Sequence, residues 1–297
     1  MSSRFGITGG FSAAVAATKA AEVAGRGAPP SARAELTASA SEFARLAIAR
    51  AQLLSPSMLG KTFVYSSAQA QYVASARSGA PSNGVRFVLY AVDPITQQPA
   101  TSSEVGYADV IDLNPTSPLA VALRLVVVGG STTYLDYTVS ASATGSSSAD
   151  FSILGFVSDG ATHVDVNVTA SVVITGNSST VNVAWTYTVP SRDLTVSGSA
   201  TSLSSLDAAT GQLDLTIHSA STVIHYTFSG TGSTLNVTVT VNGTTFATIT
   251  GTFSDPVIRG IDGHVLSNQE IAALGELLKL ADQALSLLGD LLSPVAG

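Results

Sequence analysis

The stretch LNVTVTVNGTTFATITGTF, residues 235–253, alternates apolar and polar side chains on both sides of Asn242 and Gly243. A period of two is typical of a β-strand that turns one face to a core and the other to solvent. Asn-Gly between two such runs predicts a type I′ turn, which requires a positive φ at both central positions. The stretch is therefore predicted to form a hairpin whose first strand carries an apolar row, namely Leu235, Val237, Val239 and Val241.

Similar strand patterns extend back along the chain to residue 61, separated by short turns rich in Gly, Ser, Asn and Asp. The alternation is clearest over residues 164–174 and 181–189, where valines share one face with Trp185 and Tyr187. The connections are too short to hold crossover helices, so neighbouring strands are expected to be antiparallel. We predict about 12–14 strands in this region.

Amphipathic helices are predicted on both sides of the strands. The first is rich in alanine, and the second begins at a capping box, Ser267 to Glu270, followed by leucines spaced three and four residues apart. The resulting organisation is a single domain with four parts: a flexible leader (1–30), an N-terminal amphipathic helix (31–56), an antiparallel β domain (57–260) and a C-terminal segment whose helix packs on the sheet (261–297).

The predicted fold class is mainly β. A twisted sheet of more than about ten strands rarely stays flat, and its apolar face needs a cover. We therefore expect a long antiparallel meander, curled as a half-barrel or barrel around one or two amphipathic helices. A β-sandwich with the C-terminal helix on its flank is the alternative.

Composition excludes several classes of function. Charged residues make up 11% of the chain and the net charge is −7, which argues against binding to nucleic acid or to anionic lipid, because both require a clustered basic face. The chain has no cysteine, and no apolar run is long enough to predict a transmembrane helix. Scarce lysine with abundant Ser and Thr favours an extracytoplasmic location (periplasmic, cell surface or secreted), although no clear signal peptide is present.

Few residues suggest chemistry. His218 and His225 are predicted to lie on adjacent strands, on the polar side, with Asp214 nearby. A metal site needs three or four ligands with supporting hydrogen bonds, and we interpret these residues as an exposed polar surface. No serine lies in a Gly-x-Ser-x-Gly elbow. We assign no catalytic, cofactor-binding or metal-binding residue, and we predict that the protein is not an enzyme and needs no cofactor.

Two hypotheses of function follow from this pattern. In the first, the protein is a non-enzymatic structural or interaction protein, exported or associated with the cell envelope. It self-assembles, or binds an envelope protein, through sheet edges or through its Thr/Ser/Asn-rich faces. In the second, it is a carrier that holds a lipid or another hydrophobic ligand inside the curled sheet, with the C-terminal helix as plug or lid.

Overall fold

The computed structural model describes residues 54–113, 120–176, 178–204, 209–231, 234–252, 256–277 and 279. One helix, α1, covers residues 268–277. The strands are β1 (Lys61–Ser66), β2 (Gln71–Ser75), β3 (Gly84–Val92), β4 (Pro99–Asp112), β5 (Ala120–Gly129), β6 (Thr132–Ala143), β7 (Ser148–Ser158), β8 (His163–Thr175), β9 (Ser178–Val189), β10 (Leu194–Ser204), β11 (Ala209–Ser219), β12 (Thr222–Thr231), β13 (Thr234–Val241), β14 (Thr244–Thr252) and β15 (Pro256–Gly260).

All the strands belong to one 15-stranded sheet. From β3 to β15 each strand lies beside the next one in the chain, and β1 and β2 follow beyond β3. Every neighbouring pair is antiparallel except β1 and β3, which are parallel. The predicted antiparallel meander is confirmed, with slightly more strands than expected and one parallel pair that was not predicted.

The sheet is open. Its two edges are β2 and β15, which do not pair with each other, so the predicted closed barrel is wrong. The described strands also form one sheet instead of the two of a sandwich. Both edge strands have five residues. Closing a barrel requires a ladder between the two edges, and such short strands offer little backbone for one.

The hairpin of β13 and β14 has the predicted turn. Asn242 has φ 48° and Gly243 has φ 79°, as a type I′ turn requires. Asn242 also ties the turn to the preceding strand, because its side-chain Oδ1 accepts a hydrogen bond from the Val223 backbone N–H at 2.8 Å. The asparagine therefore supplies both the left-handed backbone and a link to β12.

One face of the sheet forms the core. Alternate residues from β3 to β14 make a continuous buried cluster, in which Ile153, Val168 and Leu215 are fully buried. Leu266 and Leu274 belong to the same cluster, which places the start of the C-terminal segment against this apolar face. Burying one such side chain contributes about 1.5–3 kcal/mol, so the alternation is the main source of stability.

Trp185 is accommodated by a glycine on the neighbouring strand. Trp185 in β9 lies opposite Gly198 in β10, and both face the core. A Cβ at Gly198 would lie 2.6 Å from the indole ring and 2.6 Å from the Asp214 carbonyl oxygen. The absence of a side chain at this position therefore lets the indole lie across β10.

The capping box that opens α1 is confirmed. The Glu270 carboxylate accepts a hydrogen bond from the Ser267 backbone N–H at 2.8 Å, and the Ser267 hydroxyl accepts one from the Glu270 N–H at 3.4 Å. The leader predicted for 1–30 and nearly all of the helix predicted for 31–56 lie outside the described residues. The predicted C-terminal helix beyond 277 also lies outside them, except for Lys279.

Substituting Gly198 tests the packing of Trp185. Gly→Ala within a strand normally stabilises by about 0.5–1 kcal/mol, because alanine loses less conformational freedom on folding. Here the added Cβ meets the indole ring and a backbone oxygen, so we expect Gly198→Ala to destabilise by about 1–3 kcal/mol in chemical denaturation.

The matched control is Gly275→Ala in α1, where a Cβ would meet nothing within 4 Å. This substitution should raise stability by about 0.5–1 kcal/mol. The packing argument fails if both variants shift the denaturation midpoint in the same direction.

Candidate functional site

The face opposite the core is polar and is divided into two regions. From β3 to β6 it carries cross-strand ion pairs. From β9 to β14 it carries hydroxyl and amide groups with few charges. This division follows from the sequence, because a β-strand places every second residue on the same face of the sheet. The two regions offer different chemistry and are considered in turn.

The charged region holds two bidentate arginine–aspartate pairs. Arg86 in β3 donates to both oxygens of Asp109 in β4, each at 2.7 Å. Arg124 in β5 donates to Asp136 in β6 at 2.7 and 2.6 Å. The hydrogen bond with Asp109 raises the pKa of the Arg86 guanidinium, and the Tyr107 ring lies 3.6 Å from its central carbon. These paired carboxylates fasten neighbouring strands and are poorly placed for proton transfer.

The second region contains a regular grid of side chains, with Asp214 as its one charged member, which we call the hydroxyl surface. It consists of two parallel rows across β10–β13: Ser199, Asp214, Thr227 and Thr238 in the first, and Thr201, Gln212, Ser229 and Asn236 in the second. Neighbours within a row are about 4.8 Å apart, the spacing between strands. The rows form a shallow groove with a volume of about 290 Å³.

His218 and His225 lie on adjacent strands, on the polar side and with Asp214 nearby, as predicted. His225 lies opposite Thr216, and its Nε2 lies 3.1 and 3.0 Å from the two oxygens of Asp214. His218 lies opposite Val223, two residues nearer the turn than Thr216. His225 therefore pairs with a carboxylate at the rim of the groove. In the described part of the chain no three potential ligands group together.

The other two histidines have separate local roles. His163 stacks on Phe156 with ring centroids 4.3 Å apart, and its Nε2 lies 2.8 Å from Asp165. His264 covers Gly260 before α1, and its Nδ1 lies 2.7 Å from the Ile261 carbonyl oxygen. Neither histidine contacts a second imidazole, and both stabilise local structure.

Two buried polar atoms on the core face were not anticipated from the sequence. Trp185 was correctly predicted to face the core, but neither its indole Nε1 nor the hydroxyl of buried Tyr226 has a hydrogen-bond partner. Both residues lie in one cross-strand row, separated by Gly198 and Leu215. Burial raises the pKa of the Tyr226 hydroxyl, which keeps it neutral. Unpartnered buried groups of this kind cost about 1–3 kcal/mol each.

Exposed apolar side chains occur in β15, where Val257 lies on the polar face opposite Thr250, and in the segment that follows it, whose Leu274 packs on the core face. We call Val257, Ile261, Val265 and Ile271 the edge patch. Val257 is in β15 and is 43% exposed, and Val265 is 74% exposed. The chain folds back here, because the Gly260 N–H donates to the His264 carbonyl oxygen at 2.9 Å. Exposed apolar groups beside an unpaired strand are typical of a contact surface.

The comparisons with known proteins identify no relative. No family model, no curated protein and no solved structure shows significant similarity to this chain. Among the described helices, none combines the length and apolar character needed to span a membrane. The function must therefore be argued from the chain's own surfaces.

Removing the Tyr226 hydroxyl tests whether it is truly unpartnered. Tyr226→Phe keeps the ring and deletes the buried polar atom, so we expect a gain of about 1 kcal/mol in the free energy of unfolding. The matched control is Tyr72→Phe, since the Tyr72 hydroxyl donates to the Val88 carbonyl oxygen at 2.9 Å. The control should lose about 1 kcal/mol. Equal losses in both variants would show that Tyr226 has a partner in solution.

Proposed function

We propose that the protein is a non-enzymatic structural protein that self-associates through the β15 edge, in the extracytoplasmic space. The observation that carries this proposal is the edge patch beside the last strand of an open sheet. The low charge of the chain and its scarcity of lysine support the location and the mode of assembly. Lysine is a common means by which soluble proteins protect a sheet edge.

The β15 edge is the better candidate of the two edges. Along the described chain no strand pairs with its outer side. Pro256 and Arg259 give it some protection, but Val257 and Ile261 leave apolar surface beside it. Antiparallel pairing of β15 with β15 of a second copy would bring the Val257 side chains of both subunits to the same face of the joined sheet. Such a two-fold contact is self-complementary and closes after two subunits.

The curvature of the sheet is part of this proposal. A half-barrel that wraps around the C-terminal helix would explain how the apolar face is buried. The burial of Leu266 and Leu274 supports this arrangement. Because the sheet stays open, its two edge strands have no partner on their outer sides among the described strands and are available to a second molecule.

A charge placed in the edge patch tests self-association. In sedimentation velocity, the wild-type protein should form larger species as its concentration rises, and Val257→Lys should remain monomeric because an ammonium is costly to bury in an apolar contact. The matched control is Val173→Lys, since Val173 is also 43% exposed but lies in the central strand β8. The control should associate like the wild type.

Two results would contradict self-association through this edge. One is a wild-type protein that stays monomeric at every concentration. The other is an equal loss of association in the Val257 and Val173 variants. That result would show that the contact lies elsewhere or that the added charge alone prevents association.

The carrier hypothesis is a second candidate, favoured by the unpartnered Trp185 Nε1 and Tyr226 hydroxyl. A hydrophobic ligand with one polar end would satisfy such groups. Native mass spectrometry of gently purified protein should then show an added mass, and lipid extraction should remove it. A wild-type mass equal to that of the polypeptide would contradict this hypothesis.

A further inference from the structure

We infer that the groove on the hydroxyl surface is a binding site for a neutral oligosaccharide. The inference rests on the chemistry and regular placement of the groove's side chains. It does not depend on self-association through the β15 edge, which lies outside the groove.

The groove has the dimensions of a small-molecule site. Its volume, about 290 Å³, is close to the lower end of ordinary ligand pockets, and it runs across four strands. The two rows place polar side chains about 4.8 Å apart across the strands and about 6.7 Å apart along them. An extended ligand with many polar groups can therefore contact several side chains at once.

The side chains of the groove suit hydroxyl groups. Ser and Thr hydroxyls both donate and accept, and the amides of Gln212 and Asn236 present a donor and an acceptor side by side. Sugar hydroxyls have the same dual character and can match either role; Thr201, whose hydroxyl donates to Asn182 Oδ1 at 2.9 Å, can still accept. An apolar ligand would instead displace water from these groups without replacing its hydrogen bonds.

The charge of the groove selects against other polar ligands. Asp214 is the only ionisable residue in the lining, which contains no lysine or arginine, and its carboxylate is already paired with His225. A phosphate or sulfate would meet a carboxylate without a compensating positive group. A metal ion would find one carboxylate where several ligands are needed. A neutral ligand rich in hydroxyls is the class that remains.

Asp214 is the anchor of the site. Its carboxylate is held from one side by His225 Nε2, at 3.1 and 3.0 Å from the two oxygens, and it faces the groove within the first row. A carboxylate has about four acceptor positions, so positions remain for two neighbouring hydroxyls of a sugar ring. Hydrogen bonds to a charged acceptor are stronger than those to neutral groups.

The affinity should increase with the length of the saccharide. The lining also includes Leu213 and Phe228, but both pack against the core cluster on the other face, so binding depends on hydrogen bonds instead of on ring stacking. Each hydrogen bond between neutral groups contributes little on its own. A short sugar is expected to bind weakly, and a longer chain that crosses all four strands should bind more tightly.

Titration with neutral glucans tests the inference. Cellobiose, cellohexaose and maltohexaose are added to the full chain and followed by isothermal calorimetry and NMR shifts. We expect at least one hexaose to bind, more tightly than cellobiose. Asp214→Asn should weaken binding about tenfold, and Thr227→Val, which removes a hydroxyl with little change in shape, about fivefold. Thr186→Val, on the same face in β9 but outside the groove, should bind like the wild type.

Several results would overturn the inference. They are no binding of any of these glucans by the wild type, unchanged binding by the Asp214 and Thr227 variants, or equal weakening by Thr186→Val. Preference for a sulfated glycan over its neutral counterpart would also contradict it. Denaturation curves confirm that each variant folds, and repeating the titration with Val257→Lys separates saccharide binding from the oligomeric state.

Discussion

The structure depends on one constraint: a two-residue alternation that stays in register from strand to strand. Val168, Trp185, Leu215 and Tyr226 illustrate it, because they lie in one cross-strand row and are all buried. A slip of one residue between any two strands would turn the apolar side chains of one of them to solvent. The pairing of Trp185 with Gly198 opposes such a slip. Gly198 is the only glycine in β10, so any shift would place a side chain against the indole.

The same register organises the polar face. It brings Arg86 beside Asp109 and Arg124 beside Asp136, so each of these ion pairs joins two neighbouring strands. In β10–β13 the polar face carries mainly hydroxyl and amide groups, together with Asp214 and its partner His225. A surface with a charged region and a region of few charges therefore results from a composition that is merely low in charge.

Local patterns in the sequence predict the strands, the facing of their side chains, the type I′ turn at Asn242 and the capping box at Ser267. Each of these depends on residues close together in the chain. The parallel pairing of β1 with β3, the open sheet and the contact of His225 with Asp214 depend on strand order and register. The groove was missed for the same reason, because its rows combine residues from four strands, although the alternation that builds it is visible in each strand separately.

The two proposed surfaces are geometrically compatible. An antiparallel contact between two β15 edges has its two-fold axis perpendicular to the sheet at that contact, so the polar faces of both subunits lie on the same side. Two grooves would then face one extended polysaccharide together. Binding through the second groove becomes intramolecular, so the assembly can hold a long chain more tightly than either groove alone. Weak, hydrogen-bonded recognition of a saccharide and self-association through a short edge would thus reinforce each other.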